Sequence, residues 1–196
     1  MTKGKPVDLK TRFYKELTQE LKKTLGIKNS MAVPKVTKIK LNVGMGTYIK
    51  THNKDYSNIV ENITKISGQK PVLNKSKKAI SNFKIRQGEV IGCSVTLRGK
   101  RMYDFLNKLI NIIFPRVRDF RGLPEKGFDG NGNFSIGFKE HTVFPEISPD
   151  DVIKLHGIEV NITTNAKTDE EGYQLLKIMG FPFIKGKMDK EPEPKK

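Results

Sequence analysis

The apolar positions of the chain change their spacing several times, and each change marks an element. Leu9, Phe13, Leu17, Leu21 and Leu25 recur at every fourth residue between Asp8, which can cap a helix, and Gly26, which can end one. The spacing predicts an amphipathic helix over about 8–25. Val33-Pro34 disfavours helix, and Lys38-Ile39-Lys40-Leu41-Asn42-Val43 then alternates with the period of a strand buried on one side, ended by Gly44 and Gly46. Ile59, Val60, Ile63 and Ile66 return to helical spacing within 55–67, closing at Gly68. Residues 70–74 and 90–98 read as strands. Met102, Phe105, Leu106, Leu109, Ile110 and Ile113 make a third helix that Pro115 should stop. The turn formers of 129–133 lead into a strand at 134–138, and 157–164 alternates as another. Thr168 can cap a last helix over 169–179, with Glu171 placed as in a capping box.

Helices mixed with strands that have one wet face predict an α+β fold with an antiparallel sheet. The length of 196 residues fits one domain, taken as 1–183. Residues 184–196 are dominated by Gly, Lys, Glu and Pro and read as a disordered tail.

Charge narrows the choice of partner. Thirty-seven Lys and Arg stand against twenty-one Asp and Glu, a formal charge of +16. Such an imbalance repels itself unless a polyanion is near. Between Lys70 and Gly88 there are six Lys or Arg and no acid, threaded through Ile80, Phe83 and Ile85. Solubility would be served by mixing signs, so this long basic loop, 75–88, is shaped for an anion. Ile80, Phe83 and Ile85 can pack against the loop's own base or stack on exposed bases. A second cluster, Arg98, Lys100, Arg101, Arg116, Arg118 and Arg121, has Tyr103 and Phe120 among it. Arginine forks suit phosphate and base edges, and aromatics interleaved with cations favour structured RNA over a lipid surface. No run is long enough to span a membrane, the amino terminus lacks a signal peptide's apolar stretch, and a cytoplasmic protein is expected.

Catalysis and metal binding find little support. His52, His141 and His156 stand isolated in sequence, and no hydrolase or zinc pattern occurs. Cys93, the single cysteine, lies on a predicted strand and reads as a small buried hydrophobe. Gly44-Met45-Gly46 lacks the third glycine of a dinucleotide fingerprint, so it reads as a turn with close backbone approach. The spacing of Asp129, Asn131, Asn133 and Ser135 imitates a calcium loop, but Phe134 stands where that loop needs Gly. No catalytic residue, cofactor or metal is expected. An RNA-modifying enzyme and a membrane-attached protein are the two rival readings.

Longer motifs then carry a resemblance. Ser67-Gly68-Gln69-Lys70-Pro71, the run Lys77 to Gly88, Ile91-Gly92-Cys93, Val95 to Gly99, Arg116 to Leu123, Phe128-Asp129-Gly130, Phe144 to Ile147, Thr168 to Gly172 and Phe181-Pro182-Phe183 occur in order. The chain thereby resembles the bacterial large-subunit ribosomal protein five family, whose members bind 5S ribosomal RNA. The resemblance implies a sheet with helices on one face and a concave polar face for RNA. It implies 5S RNA contacts at Asn42, Gln69, Phe83, Thr96 and Arg98, with Phe83 near the base of the loop. It directs the loop, through Lys75, Lys77, Lys78, Lys84 and Arg86, toward transfer RNA in the peptidyl site, mobile in the free protein and ordered on the ribosome. Large-subunit ribosomal RNA, with Lys100, Arg101, Arg116, Arg118 and Arg121 as candidates, neighbouring 5S-binding proteins and a small-subunit protein complete the expected partners. The implied role is to help attach 5S RNA to large-subunit ribosomal RNA in the central protuberance and so take part in translation.

Overall fold

The computed structural model describes residues 9–46, 56–147, 155–184 and 186. The expected cap Asp8, the helix start at Asp55, His52 and all of the tail except Ile184 and Gly186 lie outside them.

The first helix, α1, covers 9–24 in three stretches, α Leu9–Arg12, π Phe13–Leu17 and α Thr18–Thr24. The π turn follows from the sequence. On a helix of 3.6 residues per turn, a spacing of four drifts by roughly 40° at each step. One wide turn absorbs the drift, so that Leu9, Phe13, Leu17 and Leu21 are all buried. Thr18 locks that turn, its hydroxyl donating to the Phe13 carbonyl at 2.7 Å.

Strand β1 (Val36–Gly44), helix α2 (Ser57–Ser67), strands β2 (Val72–Lys75) and β3 (Val90–Leu97) follow in the expected order. Helix α3 covers 99–116 as α Gly99–Lys108, π Leu109–Ile113 and α Phe114–Arg116. Pro115 therefore does not stop it. Within an α-helix its ring would collide with the carbonyl four residues back and its missing N–H would break a bond. The π turn ahead of it, closed by the Phe114 N–H on the Leu109 carbonyl, shifts the register and widens the turn. The chain ends with β4 (Phe134–Phe138), β5 (Ile158–Thr164) and α4 (Asp169–Ile178). Thr168 caps α4 by accepting from the Glu171 N–H at 3.3 Å, and Glu171 reaches back to the Lys167 N–H at 2.9 Å.

The strands form one antiparallel sheet in the order β2-β3-β1-β5-β4, and the class is α+β. The described residues group into two compact units, those within 9–38, 98–135 and 162–186 in one, and those within 39–97 and 136–161 in the other. Strands β1, β4 and β5 each contribute residues to both.

In the first unit α1 packs on α3 and α4, with the Phe13 and Tyr103 ring centroids 6.1 Å apart. Phe128, Phe134, Tyr173 and Phe183 form an aromatic cluster with centroids 4.7 to 6.3 Å apart. In the Phe181-Pro182-Phe183 motif Phe181 is buried and Phe183, half-buried, completes this cluster. The glycine-rich turn 129–133 is clasped by α4: both Asp169 carboxylate oxygens accept backbone N–H groups, from Gly130 at 3.1 Å and Gly132 at 2.8 Å. The Thr164 hydroxyl donates to the Gly132 carbonyl at 2.9 Å. Gly172 of α4 lies so close to Gly132 that a Cβ on it would stand 2.6 Å from the Gly132 oxygen. Asp129 accepts the Asn133 side-chain amide at 2.7 Å and the backbone N–H groups of Asn131 and Asn133. The Asn133 side chain first, then those amides, hold its carboxyl below the usual range. Its oxygens thereby shape the turn.

In the second unit α2 covers the apolar side of the sheet, where Ile59, Ile63 and Ile66 are buried with Ile39, Leu41, Val43, Cys93, Val95 and Leu97. Cys93 is fully buried, and burial pushes its thiol up to about 11.

The histidines correct the expectation of isolation. His141 and His156 stack face to face, 4.0 Å between centroids and 2° from parallel, and both are buried. Residues fifteen apart in sequence gave no periodic sign of this contact. The His141 Nδ1 accepts the His156 backbone N–H at 3.3 Å. Burial, with His141 beside it, lowers the His156 pKa from 6.5 to about 4. The unfolded chain therefore binds this proton more tightly than the folded one. The stabilising contribution is complete above pH 6.5 and is lost as pH falls toward about 4. Urea unfolding is expected to give about 2 kcal/mol less stability at pH 5 than at pH 7 from this group. His156→Phe should remove most of that difference, and a variant retaining it would place the titration elsewhere.

Candidate nucleic-acid interface

Strand alternation sorts the sheet of the second unit into two faces. Opposite the apolar side, Lys40 pairs across from Thr96 and Asn42 from Ser94, in register between β1 and β3. Val72 of β2 stands opposite Ser94, and the Asn74 amide nitrogen lies 3.3 Å from the Ser94 hydroxyl. Two of the expected contact residues, Asn42 and Thr96, thus share one polar face on neighbouring strands. The Asn42 amide donates to Glu159 of β5 at 3.1 Å. Gln69 lies half-buried in the connection between α2 and β2. The Ser67 hydroxyl donates to its carbonyl at 3.0 Å and accepts its N–H at 3.2 Å, which pins this connection.

The basic loop is a hairpin that prolongs β2 and β3. Its base is closed by the Ser76 N–H on the Glu89 carbonyl at 2.8 Å and the Gly88 N–H on the Ser76 carbonyl at 2.9 Å. Ile80 and Ile85 form a two-way antiparallel bridge at 3.0 and 3.1 Å, and a tight turn returns the Lys84 N–H to the Ser81 carbonyl at 2.8 Å. Glu89, the first acid after the run, accepts the Arg86 backbone N–H at 3.0 Å and so serves the hairpin's own backbone. Lys75, Lys77, Lys78, Lys84 and Arg86 are all exposed, and among the described residues none pairs with a carboxylate.

Phe83 corrects an expectation. It lies within the turn beyond the Ile80–Ile85 bridge, at the tip of the hairpin and not near its base, with 62% of its surface exposed. The bridge consumes the residues that would have placed it lower.

The second basic cluster belongs to the first unit. Arg98 continues the extended backbone past β3 and precedes α3, whose first turn carries Lys100 and Arg101 without an acid or a capping side chain. Three cations at the positive end of a helix dipole disfavour one another, and a phosphate there relieves them. Arg116, Arg118 and Arg121 are exposed at and beyond the end of α3. The aromatics among them point elsewhere. Tyr103 is buried beside Phe13, and burial together with neighbouring Tyr14 raises its hydroxyl pKa. Phe120 stacks on the buried Phe114 at 5.3 Å. The interleaving read from the sequence is packing there, and Phe83 is the exposed aromatic of the basic hairpin.

Among the described residues no three His, Cys, Asp or Glu side chains gather to hold a metal, and no helix is long and apolar enough to cross a membrane.

Comparison with known proteins places the chain in a family. Residues 29–86 match the family model described as Ribosomal protein L5, and residues 90–183 match the model of the same ribosomal family's C-terminus. The large ribosomal subunit protein uL5 of Halothermothrix orenii is 51% identical over 175 residues, which covers 89% of this chain and 97% of that protein. The protein of the same name from Desulforapulum autotrophicum is 54% identical over 175 residues, with the same coverage. That of Thermosipho melanesiensis is 52% identical over 178 residues, 90% of this chain and 97% of that protein. Matched along nearly its whole length at half of all positions, the chain belongs to the uL5 family of ribosomal proteins.

Proposed function

We propose that this chain is a structural, non-catalytic component of the large ribosomal subunit that binds 5S ribosomal RNA through the polar face of β1 and β3. The observation that carries the reading is the in-register pairing of Lys40 with Thr96 and Asn42 with Ser94 on the sheet face opposite the core. Such a face offers hydrogen-bonding groups on a rigid support, while cations around it supply affinity. Asn42, Gln69, Thr96 and Arg98 contact 5S RNA. The hairpin residues Lys75, Lys77, Lys78, Lys84 and Arg86, with Phe83 at their tip, contact transfer RNA in the peptidyl site. Lys100, Arg101, Arg116, Arg118 and Arg121 serve large-subunit ribosomal RNA, and so help to join the two RNAs in the central protuberance. Neighbouring 5S-binding proteins and a small-subunit protein are its protein partners, and it works in the cytoplasm.

The test is binding of purified protein to 5S RNA across a salt series, against an unrelated transcript of equal length. Affinity for 5S RNA is expected to fall with salt at a logarithmic slope of about 0.7 to 0.9 per phosphate neutralised. Arg98→Ala should weaken binding roughly tenfold. No preference between the two RNAs would remove the reading, and wild-type affinity in the variant would remove Arg98 from the site.

A further inference from the structure

Glu159 is out of place on a surface meant for a polyanion. It extends from β5 of the second unit, exposed, and its Oε2 takes the Asn42 amide nitrogen at 3.1 Å. The orientation of that amide follows from chemistry. An Asn oxygen in the same place would face a carboxylate oxygen with no proton between them, so the nitrogen must point at Glu159. Among the described residues no donor takes the Asn42 Oδ1. The second hydrogen on Nδ2 sits beside a carboxylate, where a phosphate oxygen would meet like charge.

We propose that Glu159 is a positioning residue for RNA recognition: by holding the Asn42 amide nitrogen it makes the Asn42 carbonyl oxygen the atom offered to RNA. This point of the sheet then takes a hydrogen-bond donor, a base N–H or a ribose 2′-hydroxyl, and rejects a phosphate. It is where the sheet reads something other than backbone charge. The inference rests on the proposal that Asn42 meets 5S RNA.

Electrostatics without positioning makes the opposite forecast, because removing a negative charge from this face should tighten RNA binding. Positioning predicts that Glu159→Ala weakens binding to 5S RNA about three- to tenfold, one hydrogen bond's worth. Glu159→Gln, equally neutral but still able to accept from the Asn42 nitrogen, should stay within about twofold of wild type. Asn42→Ala should lower affinity without changing the salt slope, since no phosphate contact is lost, and in its presence Glu159→Ala should have no further effect. Tighter binding by Glu159→Ala, equal effects of the Ala and Gln variants, additive penalties in the double variant, or a slope reduced by about 0.7 to 0.9 in Asn42→Ala would each overturn the proposal. Urea unfolding of every variant confirms the folded state. 5S RNA carrying 2′-deoxy nucleotides across the segment that the bound chain protects from hydroxyl-radical cleavage separates the two donors. A penalty for Asn42→Ala that disappears on this RNA identifies the hydroxyl, and one that persists identifies a base N–H. Should the wild-type chain show no preference for 5S RNA, the functional reading fails first; preference that ignores both substitutions defeats this inference while leaving that reading intact.

Discussion

Exchange of Lys75, Lys77, Lys78, Lys84 and Arg86 together for Gln is expected to strip the salt sensitivity from transfer-RNA retention by ribosomes carrying the variant. Five lost phosphate contacts, at roughly 0.7 to 0.9 each, reduce the logarithmic slope by up to about 4.5. The hairpin itself should survive. It is closed by backbone bonds between Ser76 and Glu89, Ser76 and Gly88, and Ile80 and Ile85, and the bond that Arg86 gives to the Glu89 carboxylate uses its backbone N–H. Gln keeps most of the side-chain length and relieves the repulsion of like charges along the hairpin. Affinity of the purified variant for 5S RNA should stay within about threefold, the scale of small changes away from direct contacts. Equal losses in both assays would show that the hairpin belongs to the 5S surface, and an unchanged slope for transfer RNA would show that it does not touch the transfer-RNA phosphate backbone.

Gly172→Ala is expected to destabilise the folded chain by about 3 kcal/mol or more, at the upper end of overpacking costs. The added Cβ would meet the oxygen, Cα and carbonyl carbon of Gly132 at 2.6, 2.9 and 3.1 Å, all backbone atoms. Gly132 cannot retreat. Its N–H is held by Asp169 and its carbonyl by Thr164, its φ is +75°, and a side chain of its own would strike Ala166 and Thr168. Gly137→Ala provides the control, since that glycine of β4 has open space around it and an ordinary φ, and should change stability by no more than about 0.5 kcal/mol. Urea unfolding measures both. A Gly172→Ala variant as stable as the control would mean that α4 and the 129–133 turn separate at little cost.

Strand alternation made β1, β3, β4 and β5 legible in the sequence, because their apolar residues are buried and most of the polar residues between them are not. The same alternation leaves Asn42 and Thr96, which the resemblance singled out, between apolar positions, and the register of β1 with β3 brings them to one face. Helix ends at Gly26 and Gly68 were equally readable, both glycines having positive φ. What escaped was whatever depends on contacts distant in the chain. The Asp169 clasp on the glycine turn, the stack of His141 on His156 and the link from Glu159 to Asn42 join residues 15 to 117 positions apart. The motifs Phe128-Asp129-Gly130 and Thr168 to Gly172 look like two separate signatures in sequence, yet they are the two halves of one joint. Local pattern also missed the π turns, although the four-residue spacing in α1 and the proline in α3 each supply a reason for one. For Tyr103 and Phe120, interleaving with arginines in sequence suggested a surface for structured RNA, and their packing against other rings overrode it.

Cys93 sits on the strand between β2 and β1, opposite Leu73 on one side and Val43 on the other, with no accessible surface. A thiol kept protonated there is inert toward alkylating reagents until the sheet parts around it. Its rate of modification is therefore a built-in clock for strand separation: slow labelling that quickens in step with urea would report global opening, and slowing on addition of 5S RNA would measure how firmly the nucleic acid staples the sheet shut.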